Sequence, residues 1–255
     1  MRQPSPFPPV RRVGLAAPLR WVRAGARDLA RAPGPSLFYG LAFALAGWSI
    51  YFVFQFAYAF AYGLTWGFLL VGPYMSTGLY DISRRLQAGE RVRLAPTLLA
   101  WRANIGGFSV FSLVLTVLML LWSRASLIVF ALYFSSGLPS VKDLVLQTLS
   151  PEHWDFLLTY FAVGAAFAQI AFTISVVSIP MMMDRNTDAI VAAITSTRAM
   201  FENPLALLLW AVLIVALTAA GFASGFLGLI VTTPIVGHAT WHAYRELVGP
   251  AQAGD

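Results

Sequence analysis

Cationic residues occupy every second gap between the apolar stretches of this chain, and that alternation constrains the fold more than any motif. A helix needs about 20 apolar residues to cross a bilayer. Stretches of that kind read at 36–56, about 61–80, from near 106, about 156–181, 204–222 and 225–244. Seven arginines precede the first stretch: Arg2, Arg11, Arg12, Arg20, Arg23, Arg27 and Arg31. Five lie between the second and third, at Arg84, Arg85, Arg91, Arg93 and Arg102. Arg185 and Arg198 fall between the fourth and fifth, and Arg245 ends the last. Only Arg124 and Lys142 fall on the opposite side. The positive-inside rule therefore predicts six spans with both termini cytoplasmic. An odd number of spans would break the split.

Composition agrees. The chain of 255 residues is 58% hydrophobic and 11% charged, against about 25% charged in soluble domains. The formal charge of +6 follows from topology and suits anionic lipid; nucleic-acid binding is not needed. Cysteine is absent, which excludes disulfides, thiolate-held zinc or iron–sulfur clusters and a thiol nucleophile. The first 36 residues contain no apolar run of signal-peptide length. Residues 1–18 read as a disordered, basic and Pro-rich cytoplasmic tail, 19–248 as a single six-helix membrane domain and 249–255 as a C-terminal tail. The third span either runs on to 134, with Arg124 near its middle, or ends at Trp122; the reading taken is the second, with Arg124 as an interfacial anchor and ASLIVFALYF as a protruding extension or packed on the outer leaflet.

The fold class is all-α and polytopic, with the six transmembrane helices forming three diverged helical-hairpin repeats. Pro73, Pro180 and Pro234 occupy matching places late in the even-numbered spans. Seven residues after the proline stand Tyr80 and Trp241, and eleven after it Arg84 and Arg245. Tyr80, Trp241 and Tyr244 read as aromatics of the membrane–water belt. Each hairpin follows a segment with an arginine, then a proline or asparagine, then an apolar run: RDLARAPGPSLF, LLAWRANIGGFS and STRAMFENPLAL. These segments are expected to be amphipathic on the cytoplasmic side. Arg20, Arg23, Arg27 and Arg31 form one helical stripe that would meet anionic lipid head groups, with apolar residues on another side. The middle copy carries an outside insertion at about 135–155.

Four and eight residues after the prolines come Thr77 and Asp81, Asp184 and Asp188, then His238 and His242. Carboxylates and imidazoles brought together suit a divalent metal or a proton relay. Asp81, Asp184, Asp188, His238 and His242 are thus weak candidate metal ligands, if three helix exits converge. The competing reading has Asp184 and Asp188 as helix caps near water. No catalytic residue is identified and no cofactor is expected. His238 and His242, four apart on one helix, cannot supply both axial ligands of one haem. His153 is expected across the membrane, and neither CxxCH nor HExxH occurs. Gly40, Ala44 and Gly47, and Gly221, Gly225 and Gly228, are positioned for close helix packing.

RAPGPSLFYGLAFALAGW, GFLLVGPYMSTGLYDISRRLQAGE, ISVVSIPMMMDRNTDAIVAAITSTRAMFENP and GLIVTTPIVGHATWHAYREL together resemble an uncharacterised bacterial integral-membrane family, a domain of unknown function. Some of its members are labelled cytochrome c oxidase subunit I-like. Three histidines do not build a haem–copper core. The resemblance implies a bacterial inner membrane and transfers no activity or site. The expected role is a transport-like or membrane-assembly component. The alternatives are a non-haem accessory subunit of a respiratory complex and a metal-dependent enzyme using the Asp/His positions. An alkaline phosphatase fusion after Glu152 is expected to be active and one after Arg93 inactive; the opposite pattern reverses the orientation.

Overall fold

The computed structural model describes residues 7–134 and 154–248. The insertion expected at 135–155, Lys142, His153 and the C-terminal tail at 249–255 lie almost entirely outside the described residues. The described elements are α1 (Ala17–Arg31), α2 (Pro33–Phe56), α3 (Tyr58–Gln87), the single turn α4 (Leu94–Thr97) and a 3₁₀ turn (Ala100–Asn104). They continue with α5 (Ile105–Tyr133), α6 (Trp154–Ser175), α7 (Ser178–Arg185), α8 (Ala189–Glu202), α9 (Pro204–Ala223) and α10 (Leu229–Val248).

Local chemistry sets the joints. Pro33 and Pro204 open α2 and α9, where a missing N–H breaks no helical bond. The residue before a proline is pushed out of the helical region. Ala32 and Asn203 accordingly share φ −134°, with ψ 59° and 48°, and each turns the chain in one residue. Asp188 caps α8, its Oδ1 accepting from the backbone of Ile190 at 2.8 Å and Val191 at 2.9 Å. The turn into α10 needs left-handed backbone at Gly225 and Phe226, φ +65° and +69°. Phe226 tolerates it because its ring seats beside Gly47, in space an added Cβ would take.

The helices fall into two compact units. One comprises the described residues up to Ser112 and from Ile174 onward. In it α10 lies against α1, α2, α3, α7 and α9. Its C-terminal half is buried at Gly237, Ala239, Trp241, Ala243, Tyr244 and Leu247. Small residues set the approach distances: a Cβ on Gly40 would collide with the backbone of Ile230, and one on Gly78 with the Tyr39 hydroxyl. The second unit, Leu113–Thr173, is a helix pair closed by aromatics. Phe156 meets Phe130 edge-on at 5.9 Å, and Tyr133 bonds Thr159 at 2.8 Å.

Among the described residues, four helical stretches are long and apolar enough to cross a membrane: Pro33–Phe56, Leu94–Tyr133, Trp154–Arg185 and Pro204–Ala223. Helices α3 and α10, expected as spans, are not among them: Tyr, Gly, Thr and Pro dilute the apolar part of α3, and His238, His242 and Arg245 occupy the end of α10. Helix α5 runs unbroken through Arg124 to Tyr133. The segment after Trp122 is therefore a continuation of the same helix, with Arg124 exposed on it; one long side chain does not interrupt backbone bonding. Part of the expected tail is held. Arg11 N–H donates to the Leu247 carbonyl at 2.7 Å, Val13 N–H to Asn203 Oδ1 at 2.7 Å, and Asn203 Nδ2 to the Arg11 carbonyl at 3.0 Å. Tyr80, Trp241 and Tyr244 are buried, and not belt aromatics, because neighbouring helices close over the helix exits.

At Gly25 an added Cβ would lie 2.5 Å from the Ile235 carbonyl oxygen and 2.9 Å from the Ala239 nitrogen. Overpacking of this kind costs about 1–3 kcal/mol. Gly25→Val is expected to lower the thermal midpoint in detergent clearly, while Gly14→Val, with open space around it, leaves it in place.

Candidate functional site

The largest concentration of buried polar chemistry lies where α1, α2, α3 and α10 meet. His238 is fully buried. Its Nε2 lies 2.9 Å from Ser36 Oγ. Its Nδ1 lies 2.8 Å from Ser83 Oγ and 3.1 Å from the Leu79 carbonyl. A carbonyl only accepts, so Nδ1 carries the hydrogen and is shared between the two oxygens. Nε2 then accepts from the Ser36 hydroxyl, which leaves the ring neutral, as a side chain without exposed surface requires.

A second set of bonds centres on Asp28, which is 4% exposed and has Ser83 as a neighbour of its carboxylate. His242 Nε2–H donates to Asp28 Oδ2 at 2.8 Å. Gln87 Nε2 donates to His242 Nδ1 at 3.2 Å, and Trp241 Nε1 to Gln87 Oε1 at 3.0 Å. The two histidines thus take opposite tautomers. Burial pushes the Asp28 carboxyl up. The hydrogen bonds from His242 and Ser83 and the nearby imidazoles outweigh it and hold the group below the ordinary 3.8.

The six proline-register positions do not meet at one point. Thr77 is buried and donates to the Tyr74 carbonyl at 2.6 Å. Asp81 is clamped on its own helix by Arg84 Nε at 3.0 Å and Arg85 Nε at 2.7 Å. Asp184 Oδ2 accepts from Tyr244 at 2.6 Å and Arg245 at 3.1 Å. Asp188 caps α8. Only His238 and His242 share a network, and there each faces its own partners. Among the described residues no group of three or more His, Cys, Asp or Glu is arranged to hold a metal ion.

Asp28, Ser36, Ser83 and Gln87 were not singled out from sequence. Asp28 left a trace. Trp21, Gly25 and Asp28 recur at helical spacing on one face, so the lone acid of an arginine-rich helix sits on its buried side. Trp21 on that face donates to Glu246 at 2.7 Å and packs edge-on against Trp210 at 5.9 Å.

Leaving a buried hydrogen-bonding group without its partner costs about 1–3 kcal/mol, and more where the group is charged. Asp28→Ala and His238→Ala are each expected to lower the thermal midpoint steeply, and the double variant by less than the sum, because both cut one network. A carboxyl held below its ordinary value stabilises the fold above that value. Asp28 therefore contributes fully above pH 3.8, and its share is lost as pH falls through the folded value. In Asp28→Asn that acid-side slope is expected to flatten in unfolding measured against pH.

No curated protein and no solved structure matches the chain. Residues 59–184, from the start of α3 to the end of α7, match the family model described as predicted integral membrane protein (DUF2189). That segment contributes Leu79, Ser83 and Gln87 to the network, while Asp28, Ser36, His238 and His242 lie outside it. Over those residues the chain is similar to this family, whose members are described as predicted integral membrane proteins of unknown function.

Proposed function

We propose that this protein is a six-crossing component of a bacterial inner membrane, with both termini cytoplasmic, that serves membrane assembly and performs no covalent chemistry of its own. One observation carries the reading: the polar atoms that sequence singles out are each closed by partners within the protein, in separate places. Such groups hold helices together; a substrate would have to displace them.

Hairpin geometry supports six crossings. Tyr39 of α2 faces Gly78 of α3, and the joint is the single residue Ala57. Helix α3 thus retraces α2 through about 30 Å, at 1.5 Å per residue over some twenty residues. A helix packed this way against a spanning helix shares its depth. A threefold repeat is supported by the element order: α1–α2–α3, then α4 and the 3₁₀ turn with α5 to α7, then α8–α9–α10. The matching Ala32 and Asn203 joints mark the first and third copies. Helix α1 serves as the amphipathic interfacial helix. Arg20 pairs with Glu246 at 2.6 Å; Arg23, Arg27 and Arg31 are exposed and meet anionic head groups, each contributing about 1 kcal/mol.

A proton-linked transport role is the second reading, favoured by the Ser36–His238–Ser83 bonds lying beside the Asp28–His242 pair. Proteoliposomes with an entrapped pH dye separate the two. Assembly predicts proton flux no greater than in empty vesicles; flux abolished by a stably folded His238→Gln variant would establish transport. For the lipid contact, phosphatidylglycerol is expected to raise the thermal midpoint more than phosphatidylcholine does. Arg23→Gln/Arg27→Gln/Arg31→Gln is expected to lose most of that difference, as does wild type in high salt. An unchanged difference removes α1 from the lipid surface.

A further inference from the structure

We infer that the groove between α2, α3 and the α4–3₁₀ segment holds one anionic phospholipid, its acyl chain in the groove and its phosphate at Arg102. The groove encloses about 360 Å³, within the roughly 300–1,000 Å³ of ligand sites. Tyr39 and Thr97, both almost fully buried, form its floor. Tyr74 and Met75 make one wall. Val71, Leu98 and Trp101 stand at the rim, with Val71 50% and Leu98 41% exposed.

The occupant follows from hydrogen bonds already made. Thr97 donates to the Leu94 carbonyl at 2.8 Å, so the Tyr39 hydroxyl donates to Thr97 at 3.0 Å. Tyr74 pairs with Ser109 at 3.2 Å, and Trp101 Nε1 donates to the Leu98 carbonyl at 2.9 Å. The polar atoms of the lining are thus engaged with the protein. What the groove presents is aromatic faces and aliphatic carbon, which suit a hydrocarbon chain.

The rim supplies the charge. The Arg102 guanidinium lies 5.5 Å from the Trp101 ring centroid, a cation–π placement that holds it beside the opening. It is exposed, and no carboxylate among the described residues pairs with it. An aromatic at the interface next to a free guanidinium matches a phosphodiester head group continuous with an acyl tail. These residues are separate from the α1 arginines, so the site stands whether or not α1 lies on lipid.

Native mass spectrometry of the full chain in mild detergent tests this, with phosphatidylglycerol and phosphatidylcholine titrated separately. The expected result is one retained phosphatidylglycerol per chain. Arg102→Gln weakens it about fivefold, and Val71→Trp, which fills the opening, abolishes it. Arg23→Gln/Arg27→Gln/Arg31→Gln leaves it in place. Arg102 and Val71 are exposed, so both variants keep the fold, which a thermal midpoint near wild type verifies. Equal retention of the two lipids, retention unchanged in Val71→Trp, or affinity unchanged in Arg102→Gln would each overturn the assignment.

Discussion

Everything at the base of the larger unit depends on satisfying one carboxylate. Asp28 is nearly without exposed surface, and an unpaired charge there would cost several kcal/mol. It takes a hydrogen bond from His242 of α10 and has Ser83 of α3 as a neighbour. Ser83 in turn bonds His238, and His238 bonds Ser36 at the start of α2. Four helices thereby meet around one carboxylate. The apolar surroundings strengthen each bond and make each costly to lose.

Close backbone approach makes that network possible. Gly25 lets α1 lie directly on α10, and Gly40 lets α2 do the same. With α1 seated, Trp21 reaches Trp210 and Glu246. The chain before α1 is held as well, by Asn203 and the Leu247 carbonyl. Asn203 thus turns α8 into α9 and clips the N-terminal segment.

Much of this was legible in residue order. The all-helical membrane class follows from apolar stretches that only helices can carry across lipid. The Pro33 and Pro204 boundaries follow from proline chemistry, and the tight packing at Gly40 and Gly47 from side-chain size. The alternation of cations predicts an orientation for the same reason. The site was less legible. His238 and His242 stood out as rare ionisable groups, but their partners Asp28, Ser36 and Ser83 are common residues up to some 200 positions away, and periodicity does not pair them.

What the sequence by itself determined is the set of helices, their breaks and their apolar character, because these depend on composition and near neighbours. What only the tertiary structure decided is which polar groups meet. The proline register of α3, α7 and α10 suggests a meeting of Asp81, Asp184, Asp188, His238 and His242. Packing instead sends Asp81 to its own arginines, Asp184 to Tyr244 and Arg245, Asp188 to a helix cap and the histidines into the Asp28 network. The physical reason is reach. A side chain bonds within about 3 Å, and which helix lies that close is set by glycine contacts far apart in sequence.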